Sequence, residues 1–293
     1  MIKTSKSNQS QGYNVDLNTE TKFLLSTSGS QSSIERHNKA LKVLHLNLVY
    51  FTFSQDIIPA AYAGLLRAPI VRGGAVTGRG GLKSTIIPFL DEVEPLAKRT
   101  LAVNTVVNNE GKLFGYNTDV FGLKNAILQA LKESKIKIKT GVVYGNGGVS
   151  GVAFHVLQDL GIRVAMVGRN KEHVLKKKLE LGIDKISHFN GPYDLVVDAT
   201  PISSDPLFLK NAVGFSELIK NCKMVFSHNM PELNGKKNYL EEYCYKQNIQ
   251  FVPGKKMYVS QLIKQFGFFL EGYTKKDGTS ITEKDIADAW KLR

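Results

Sequence analysis

A glycine-rich run at residues 145–151 constrains the fold of this chain more than any other segment. It lies between a strand predicted over 140–144 and an apolar helix predicted over 150–160. Glycines permit a tight turn, and the amides at the start of the helix can hold a pyrophosphate. The run therefore predicts a nucleotide-binding turn, with a turn that needs glycine only for packing as the alternative. Its residues are Gly145, Asn146, Gly147, Gly148, Val149, Ser150 and Gly151, so that Ser150 displaces the third glycine of the GxGxxG pattern.

The residues that follow this run keep alternating between apolar strands and helices. Strands are predicted over 163–167, 195–199, 223–227 and 250–252, with a polar helix over 171–181. Strands that alternate with helices are typical of a parallel sheet covered by helices. The second half of the chain is therefore predicted to be a Rossmann-like unit.

The first half shows a similar alternation, which predicts a second α/β unit. Strands are predicted over 23–27, 48–53 and 69–77, with helices over 37–46 and 55–67. Two extended runs around Asn108 and Gly111 predict a hairpin within 102–117, and a helix over 121–132 links the two units. Two amphipathic helices over 257–272 and 282–292 close the chain, and Thr279 or Ser280 could cap the last one.

Composition narrows the class of protein further. Hydrophobic residues make up 42% and charged residues 22% of the 293 residues, which excludes a mainly disordered chain. No apolar run approaches the ~20 residues that a membrane span needs. Cys222 and Cys244 cannot build a disulfide framework, and no Cys/His cluster predicts a metal site. A polar N-terminus without an apolar signal core predicts a cytoplasmic location.

The net charge of +13 raises the question of a polyanionic partner. The lysines are spread along the chain, and no zinc finger, basic arm or RNA-binding aromatic pattern accompanies them. The charge therefore predicts a solvated basic surface rather than a nucleic-acid site. The positive electrostatic potential of such a surface also speeds the encounter with small anionic substrates.

The end of the second Rossmann strand indicates which dinucleotide binds. An NAD site usually has an acidic residue there for the ribose hydroxyls, whereas this chain has Arg169 with Lys171 nearby. Both cations could pair with a 2′-phosphate. The sequence therefore favours NADP, although Arg169 could also be an ordinary surface arginine.

Two further motifs flank the predicted hairpin, Ala-Val-Asn-Thr at 102–105 and Gly-Tyr-Asn-Thr-Asp at 115–119, and Lys83 lies upstream of both. With the glycine run, this arrangement resembles the shikimate dehydrogenase family over residues 23–272. The resemblance implies NADP-dependent, reversible reduction of 3-dehydroshikimate to shikimate, a step of chorismate and aromatic amino acid biosynthesis. It also implies a catalytic domain over 1–118, within which the Ser, Asn, Gln and Lys content of residues 1–20 predicts a flexible leader. A NADP domain would then span 119–255, and the C-terminal helices over 256–293 would pack back on the catalytic domain.

The same resemblance assigns the site residues. Lys83 and Asp119 would be the catalytic pair, since an ammonium can stabilise and protonate the oxygen of a ketone as it is reduced. Asp119 could alternatively cap a helix that begins at Val120. Substrate-binding residues would be Thr77, Asn104 and Gln261, with Ser30 and Ser32 for the carboxylate if one residue is inserted; a gapless count gives Ser33 instead. Thr200, in the turn beneath the nicotinamide, completes the cofactor residues, and His37 is expected to be structural.

The sequence departs from the family pattern close to these residues. The lysine loop gains two residues and loses its proline over 78–81, which brings Arg79 near the site. The family's Asn-Ala-Thr turn begins here with Asp198, and its tyrosine before Pro231 is Asn229. Three alternatives therefore stay open: shikimate itself, quinate or another hydroxylated ring acid, and a ligand-sensing protein with weak catalysis. In each, the partner is a small molecule rather than a nucleic acid or membrane, and the protein is a monomer or homodimer.

Overall fold

The computed structural model describes residues 15–53, 56–77, 81–183 and 191–292, and places them in two sheets with helices on both faces. The first sheet has the strand order β2-β1-β3-β5-β6-β4 and is parallel except where β5 runs against β3 and β6. Its strands are β1 Lys22–Ser26, β2 Leu48–Thr52, β3 Val71–Ala75, β4 Glu92–Val93, β5 Thr105–Asn109 and β6 Lys112–Tyr116. The helices of this half are α1 Gln31–Val43, α2 Pro59–Leu66, α3 Leu82–Thr85, α4 Pro95–Thr100 and α5 Thr118–Ser134.

The second sheet is parallel throughout, with the strand order β11-β10-β9-β7-β8. Its strands are β7 Thr140–Tyr144, β8 Arg163–Val167, β9 Leu195–Asp198, β10 Met224–Ser227 and β11 Gln250–Pro253. The remaining helices are α6 Gly148–Asp159, α7 Lys171–Glu180, α8 Phe208–Asn211, α9 Phe215–Ile219, α10 Tyr239–Lys246, α11 Gly254–Phe269 and α12 Glu283–Ala289. Strands β8 and β9 lie on opposite sides of β7, so the strand order reverses at β7. Folds of this kind bind ligands beyond the carboxyl end of the strand where the order reverses.

Burial explains why these segments form strands. All five residues of β7 are buried, as expected for a central strand covered by helices on both faces. One core of the second sheet joins residues of α5 and α6, such as Leu123 and Phe154, and another lies under α8 to α10. Against the first sheet, α1, α11 and α12 bury Leu41, Phe266 and Ile286 in one core, so the last helices pack on the first half of the chain.

Helices α5 and α11 lie in close contact and connect the two sheets. The contact depends on Gly122 of α5, where an added Cβ would stand 2.5 Å from the backbone oxygen of Met257 and 2.8 Å from the Cβ of Gln261. Only glycine allows the two helix backbones to approach this closely. The close approach brings Gln261 of α11 next to the first turn of α5.

The alternation of strands and helices agrees with the sequence-based prediction, and several boundaries differ. Helix α1 begins at Gln31 rather than at His37, because Ser30 caps it by accepting from the Ser33 amide. The predicted caps of the last helix were wrong: Thr282, in a capping box with Asp285, caps α12. The short elements β4, α3, α4, α8, α9 and α10 were not predicted.

The ends of the chain add two further observations. Residues 1–14 of the predicted leader lie outside the described residues, whereas Asn18 of the same leader accepts a hydrogen bond from the Asn47 amide at 2.8 Å. None of the helices in the described ranges is long and apolar enough to cross a membrane.

Candidate active site

A cavity of about 240 Å³ lies at the carboxyl ends of β1 and β3, where α5 and α11 meet the first sheet. Its lining is mostly polar, with hydroxyl groups, amides and one ion pair around a small volume. A ring acid with several hydroxyl groups has the size and chemistry that such a lining accommodates. Five of the residues predicted from the sequence line it together: Thr77, Lys83, Asn104, Asp119 and Gln261.

Lys83 and Asp119 form an ion pair in this cavity, with the lysine Nζ 2.6 Å from Oδ2 of the aspartate. The side chains are only 15% and 10% exposed, so the low-polarity surroundings strengthen their attraction. Lys83 lies in α3, which starts after Gly81 at a φ of 73°. Asp119 lies in the first turn of α5, which Asn117 caps; the alternative in which Asp119 caps this helix was therefore wrong.

Asn104 orients the carboxylate of this pair. One amide N–H of Asn104 donates to Asp119 Oδ1 at 2.9 Å and the other to the Thr118 hydroxyl at 2.9 Å. Its Oδ1 accepts from the Thr118 amide, also at 2.9 Å. Each carboxylate oxygen of Asp119 thus has one donor, and the ammonium of Lys83 keeps two N–H groups for a ligand. Both N–H groups of Asn104 are thus engaged within the protein, although Asn104 lines the cavity, and its role in binding the substrate stays a prediction.

Gln261 differs from Asn104 in the groups that remain available. Its Nε2 donates to the Thr118 hydroxyl at 3.0 Å, and no described hydrogen bond engages its side-chain oxygen. Gln265, one turn further along α11, lines the same cavity and donates to the Asn104 backbone oxygen at 3.1 Å. The side-chain oxygen of Gln261 is therefore available to accept a hydrogen bond from a ligand in the cavity.

The serines that line the cavity are not the pair predicted from the sequence. Ser30 and Ser32 are exposed and 2.8 Å apart at the start of α1, outside the cavity. Ser26, Ser28 and Ser33 line it instead; the Ser26 hydroxyl donates to the Ser28 carbonyl, and the Ser28 hydroxyl lies 2.7 Å from that of Thr77. The reason is the early start of α1, which turns the third helical residue toward the sheet and leaves the cap facing solvent. Ser33, the gapless alternative, is among the residues that line the cavity.

The glycine run forms the turn that the sequence predicted between β7 and α6. Gly145 has a φ of 117°, and an added Cβ would lie 2.7 Å from the Thr200 side chain. Gly147 caps α6 without a side-chain hydrogen bond, so the first amides of α6 at Gly148 and Val149 are available to an anion. Asn146 lies exposed between the two glycines. The turn is shaped to approach a phosphate group closely.

Arg169 and Lys171 are exposed after β8, the strand beside this turn. Lys171 starts α7, which Asn170 caps, and in the ranges described neither cation forms an ion pair. Gly168 brings the two loops together, since an added Cβ would lie 3.6 Å from the Cα of Gly145. The cations are therefore close to the glycine turn and free to pair with a phosphate.

Asp198 holds the loop that faces the glycine turn, a role that the sequence did not predict. Its fully buried carboxylate accepts from the Thr200 amide at 2.9 Å, the Thr200 hydroxyl at 2.6 Å and the Ser227 hydroxyl at 2.9 Å. Burial raises the pKa of Asp198, and these donors and His228 act against that shift. Thr200 is thus fixed against Gly145 rather than free. The sequence feature that could have indicated this role is Asp198 itself, which replaces the family's asparagine.

His37 is also fixed by contacts that the sequence did not show. Its Nδ1 accepts from the Trp290 indole at 2.7 Å, and its ring stacks on Phe266. Burial and the nearby Arg36 lower the pKa of His37 to about 3, so the ring is neutral at physiological pH. This supports the structural role predicted for His37.

Comparison with known proteins identifies the family. Residues 28–106 match the family model of the shikimate dehydrogenase substrate binding domain. The chain is 33% identical over 204 residues to the shikimate dehydrogenase (NADP(+)) of Bacillus cereus ATCC 10987, covering 66% of this chain and 72% of that protein. The chain belongs to the shikimate dehydrogenase family. The resemblance drawn from the sequence motifs is therefore confirmed.

Solved structures show that members of the shikimate dehydrogenase family share this fold. One is shikimate 5-dehydrogenase from Thermus thermophilus in complex with NADP(H) and shikimate, with 24% identity, a TM-score of 0.68, and coverage of 92% of this chain and 99% of that chain. Another is shikimate dehydrogenase from Aquifex aeolicus, with 24% identity, a TM-score of 0.70, and coverage of 94% and 99%. The predicted α/β fold with a Rossmann-like unit is confirmed.

One departure from the shikimate dehydrogenase pattern cannot be placed. Residues 78–80, which include Arg79 of the altered lysine loop, lie outside the described residues.

A second departure from the family pattern is Asn229, which replaces the family tyrosine and donates to the Ser203 hydroxyl at 2.8 Å. Asn229 therefore fastens the loop after β9 to the loop after β10.

Proposed function

We propose that this chain catalyses the NADP-dependent, reversible reduction of 3-dehydroshikimate to shikimate. The observation that carries the proposal is the buried Lys83–Asp119 ion pair in a hydroxyl-lined cavity of ring-acid size. Family membership supports it, because the relatives are named for this activity. The same proposal divides the chain into a catalytic domain over 1–118, a NADP domain over 119–255 and returning helices over 256–293.

The cofactor fits the residues at the glycine turn. Gly145 packs against Thr200 and Ala199, where a side chain would clash, and this close packing forms the tight turn that leads into α6. The first amides of α6 have no side-chain cap. Those amides would hold the pyrophosphate, and Arg169 and Lys171 would pair with the 2′-phosphate. NADPH, when bound, supplies the hydride that reaches the carbonyl carbon of the substrate.

The protein's own groups manage the charge and the proton in this reaction. As the ketone is reduced, negative charge develops on its oxygen, and the ammonium of Lys83 donates a hydrogen bond and then the proton. Asp119 holds the ammonium of Lys83 in position through their ion pair, and Asn104 keeps Asp119 in place. In the direction of shikimate oxidation the same steps run in reverse, so that the proton of the hydroxyl group returns to Lys83.

The remaining lining positions the ring. Gln261 accepts from a ring hydroxyl, Thr77 contributes its hydroxyl, and Ser28 and Ser33 donate to the carboxylate. Holding the ring at several points restricts it to the orientation in which the carbonyl faces Lys83, and such restriction accounts for a large part of enzymatic acceleration. This arrangement assigns recognition of the ring to Gln261, Thr77 and the two serines, and proton transfer to Lys83.

A substrate panel tests the proposal directly. Nicotinamide absorbance is followed with 3-dehydroshikimate and NADPH, and with shikimate or quinate and NADP or NAD. We expect turnover with 3-dehydroshikimate and shikimate, and a preference for NADP that Arg169→Gln weakens without changing the KM for shikimate. Turnover with quinate alone would move the substrate to the related ring acid, and binding without turnover with any of them would refute an enzymatic role.

The location and assembly predicted from the sequence stay predictions. These are a cytoplasmic location, a monomer or homodimer, and the absence of a nucleic-acid partner. Size-exclusion chromatography with light scattering gives the oligomeric state, and a mobility-shift assay tests nucleic-acid binding.

A further inference from the structure

Arg36 and Tyr258 meet beside the cavity, and neither residue was singled out in the sequence. Arg36 lies in α1 and Tyr258 in α11, 222 positions apart in the chain. The Nη2 of Arg36 donates to the Tyr258 hydroxyl, and the guanidinium lies 5.4 Å from the centre of the tyrosine ring. Tyr258 itself lines the cavity.

The positive charge of Arg36 has no acidic partner in the parts of the chain that the structure describes. Its Nε atom is buried and has no hydrogen-bond partner there. A buried donor without an acceptor and a cation without an anion both cost free energy, which an incoming anion recovers. By contrast, Asp119 already neutralises Lys83 in the same cavity.

The Tyr258 hydroxyl is arranged to donate. Its oxygen accepts from Arg36, so its single proton remains for another acceptor. Tyr50 and Ser33 also line the cavity, and burial raises the pKa of Tyr50 to about 12, so that both hydroxyl groups are uncharged. A charge-assisted hydrogen bond to a carboxylate is about twice as strong as one between neutral groups.

We propose that Tyr258, polarised by Arg36, donates a hydrogen bond to the carboxylate of the ring acid and makes this chain selective for acids over their neutral derivatives. The inference rests on the proposed function, since it concerns the same cavity and substrate. Tyr258 contacts the substrate, whereas Arg36 acts through Tyr258 and is a positioning residue. Ser28 and Ser33 supply the other donors to the same carboxylate.

Three variants test the pair: Tyr258→Phe, Arg36→Gln and Arg36→Lys. The substrates are shikimate and its methyl ester, which keeps the ring and loses the negative charge. Lys39→Gln removes an exposed cation one turn away on α1, and Tyr245→Phe removes the hydroxyl of a tyrosine that is 87% exposed. These two variants are the matched controls, because neither residue touches the cavity.

We expect Tyr258→Phe and Arg36→Gln to raise the KM for shikimate about tenfold or more while kcat stays within about twofold, as for loss of a hydrogen bond to a charged group. The preference for shikimate over its methyl ester should fall by the same factor. Arg36→Lys should keep more of the preference than Arg36→Gln does, because lysine retains the positive charge but lacks the planar guanidinium group. The controls should resemble wild type.

Each failure has its own signature. If wild type turns over neither shikimate nor 3-dehydroshikimate, the proposed function fails. If wild type is active but the variants keep its KM and its preference for the acid, or lose activity equally on acid and ester, the inference fails. Equal losses would mean that the pair only joins α1 to α11, and thermal unfolding would then show a lower melting temperature.

Discussion

Gly122→Ala tests the packing that brings α11 to the cavity. The new Cβ would stand 2.5 Å from the Met257 backbone oxygen, whereas ordinary contact begins at 3.4 Å, so the helices must separate by about 0.9 Å. Overpacking of this kind costs about 1–3 kcal/mol. Alanine also recovers about 1 kcal/mol of helix propensity relative to glycine. We therefore expect a net loss of about 1 kcal/mol in the free energy of unfolding.

The same displacement should impair binding. The hydrogen bond from Gln261 to Thr118, now 3.0 Å, would exceed the hydrogen-bond range after a shift of this size. Gln261 would then leave its position in the cavity, and the KM for shikimate should rise about tenfold, as for loss of one buried hydrogen bond. Urea unfolding measures the stability, and steady-state kinetics measures the KM.

Gly267→Ala is the matched control, because Gly267 lies in α11 and an added Cβ there meets no atom within 4 Å. Helix propensity alone should make this variant more stable by up to about 1 kcal/mol, with an unchanged KM. If Gly122→Ala were as stable as Gly267→Ala and bound shikimate as wild type does, the close approach of α5 and α11 would not position Gln261.

Three further predictions follow from single side chains. Partial burial opposes ionisation of Asp194, but Lys223 and two backbone amides lower its pKa to about 2. The contribution of Asp194 to the free energy of unfolding is therefore complete above about pH 4 and is lost as the pH falls toward 2. In Asp194→Asn, acid unfolding curves should be flatter over that pH range. Trp290→Phe leaves the buried Nδ1 of His37 unpaired and should cost about 1–3 kcal/mol in urea unfolding. Asp198→Ala removes the acceptor of three hydrogen bonds, and should raise the KM for NADPH about tenfold without changing that for shikimate.

The Rossmann-like half could be predicted from the sequence because its signals are local. Each strand there is a short apolar run, and the glycines at the end of β7 indicate both a turn and a helix start. The site pair Lys83 and Asp119 was found from motif spacing, which the family resemblance supplied. Neither periodicity nor composition indicates that residues 36 positions apart meet.

The contacts that refine the site are long-range, and local patterns do not encode them. Trp290 reaches His37 across 253 positions, and Arg36 reaches Tyr258 across 222. The serine assignment failed for a different reason, since it depended on where α1 begins. Ser30 satisfies the first amides of that helix as its cap, a choice among four nearby serines that the sequence does not fix.

Hydride transfer in Lys83→Ala tests the central claim most directly. Rapid mixing of NADPH-loaded protein with 3-dehydroshikimate follows the loss of nicotinamide absorbance in a single turnover. If Lys83 stabilises and protonates the developing oxyanion, the rate should fall about 10²–10⁴-fold while shikimate still binds. A variant that transfers hydride at the wild-type rate would contradict the account, since the ion pair would then have no part in the chemistry.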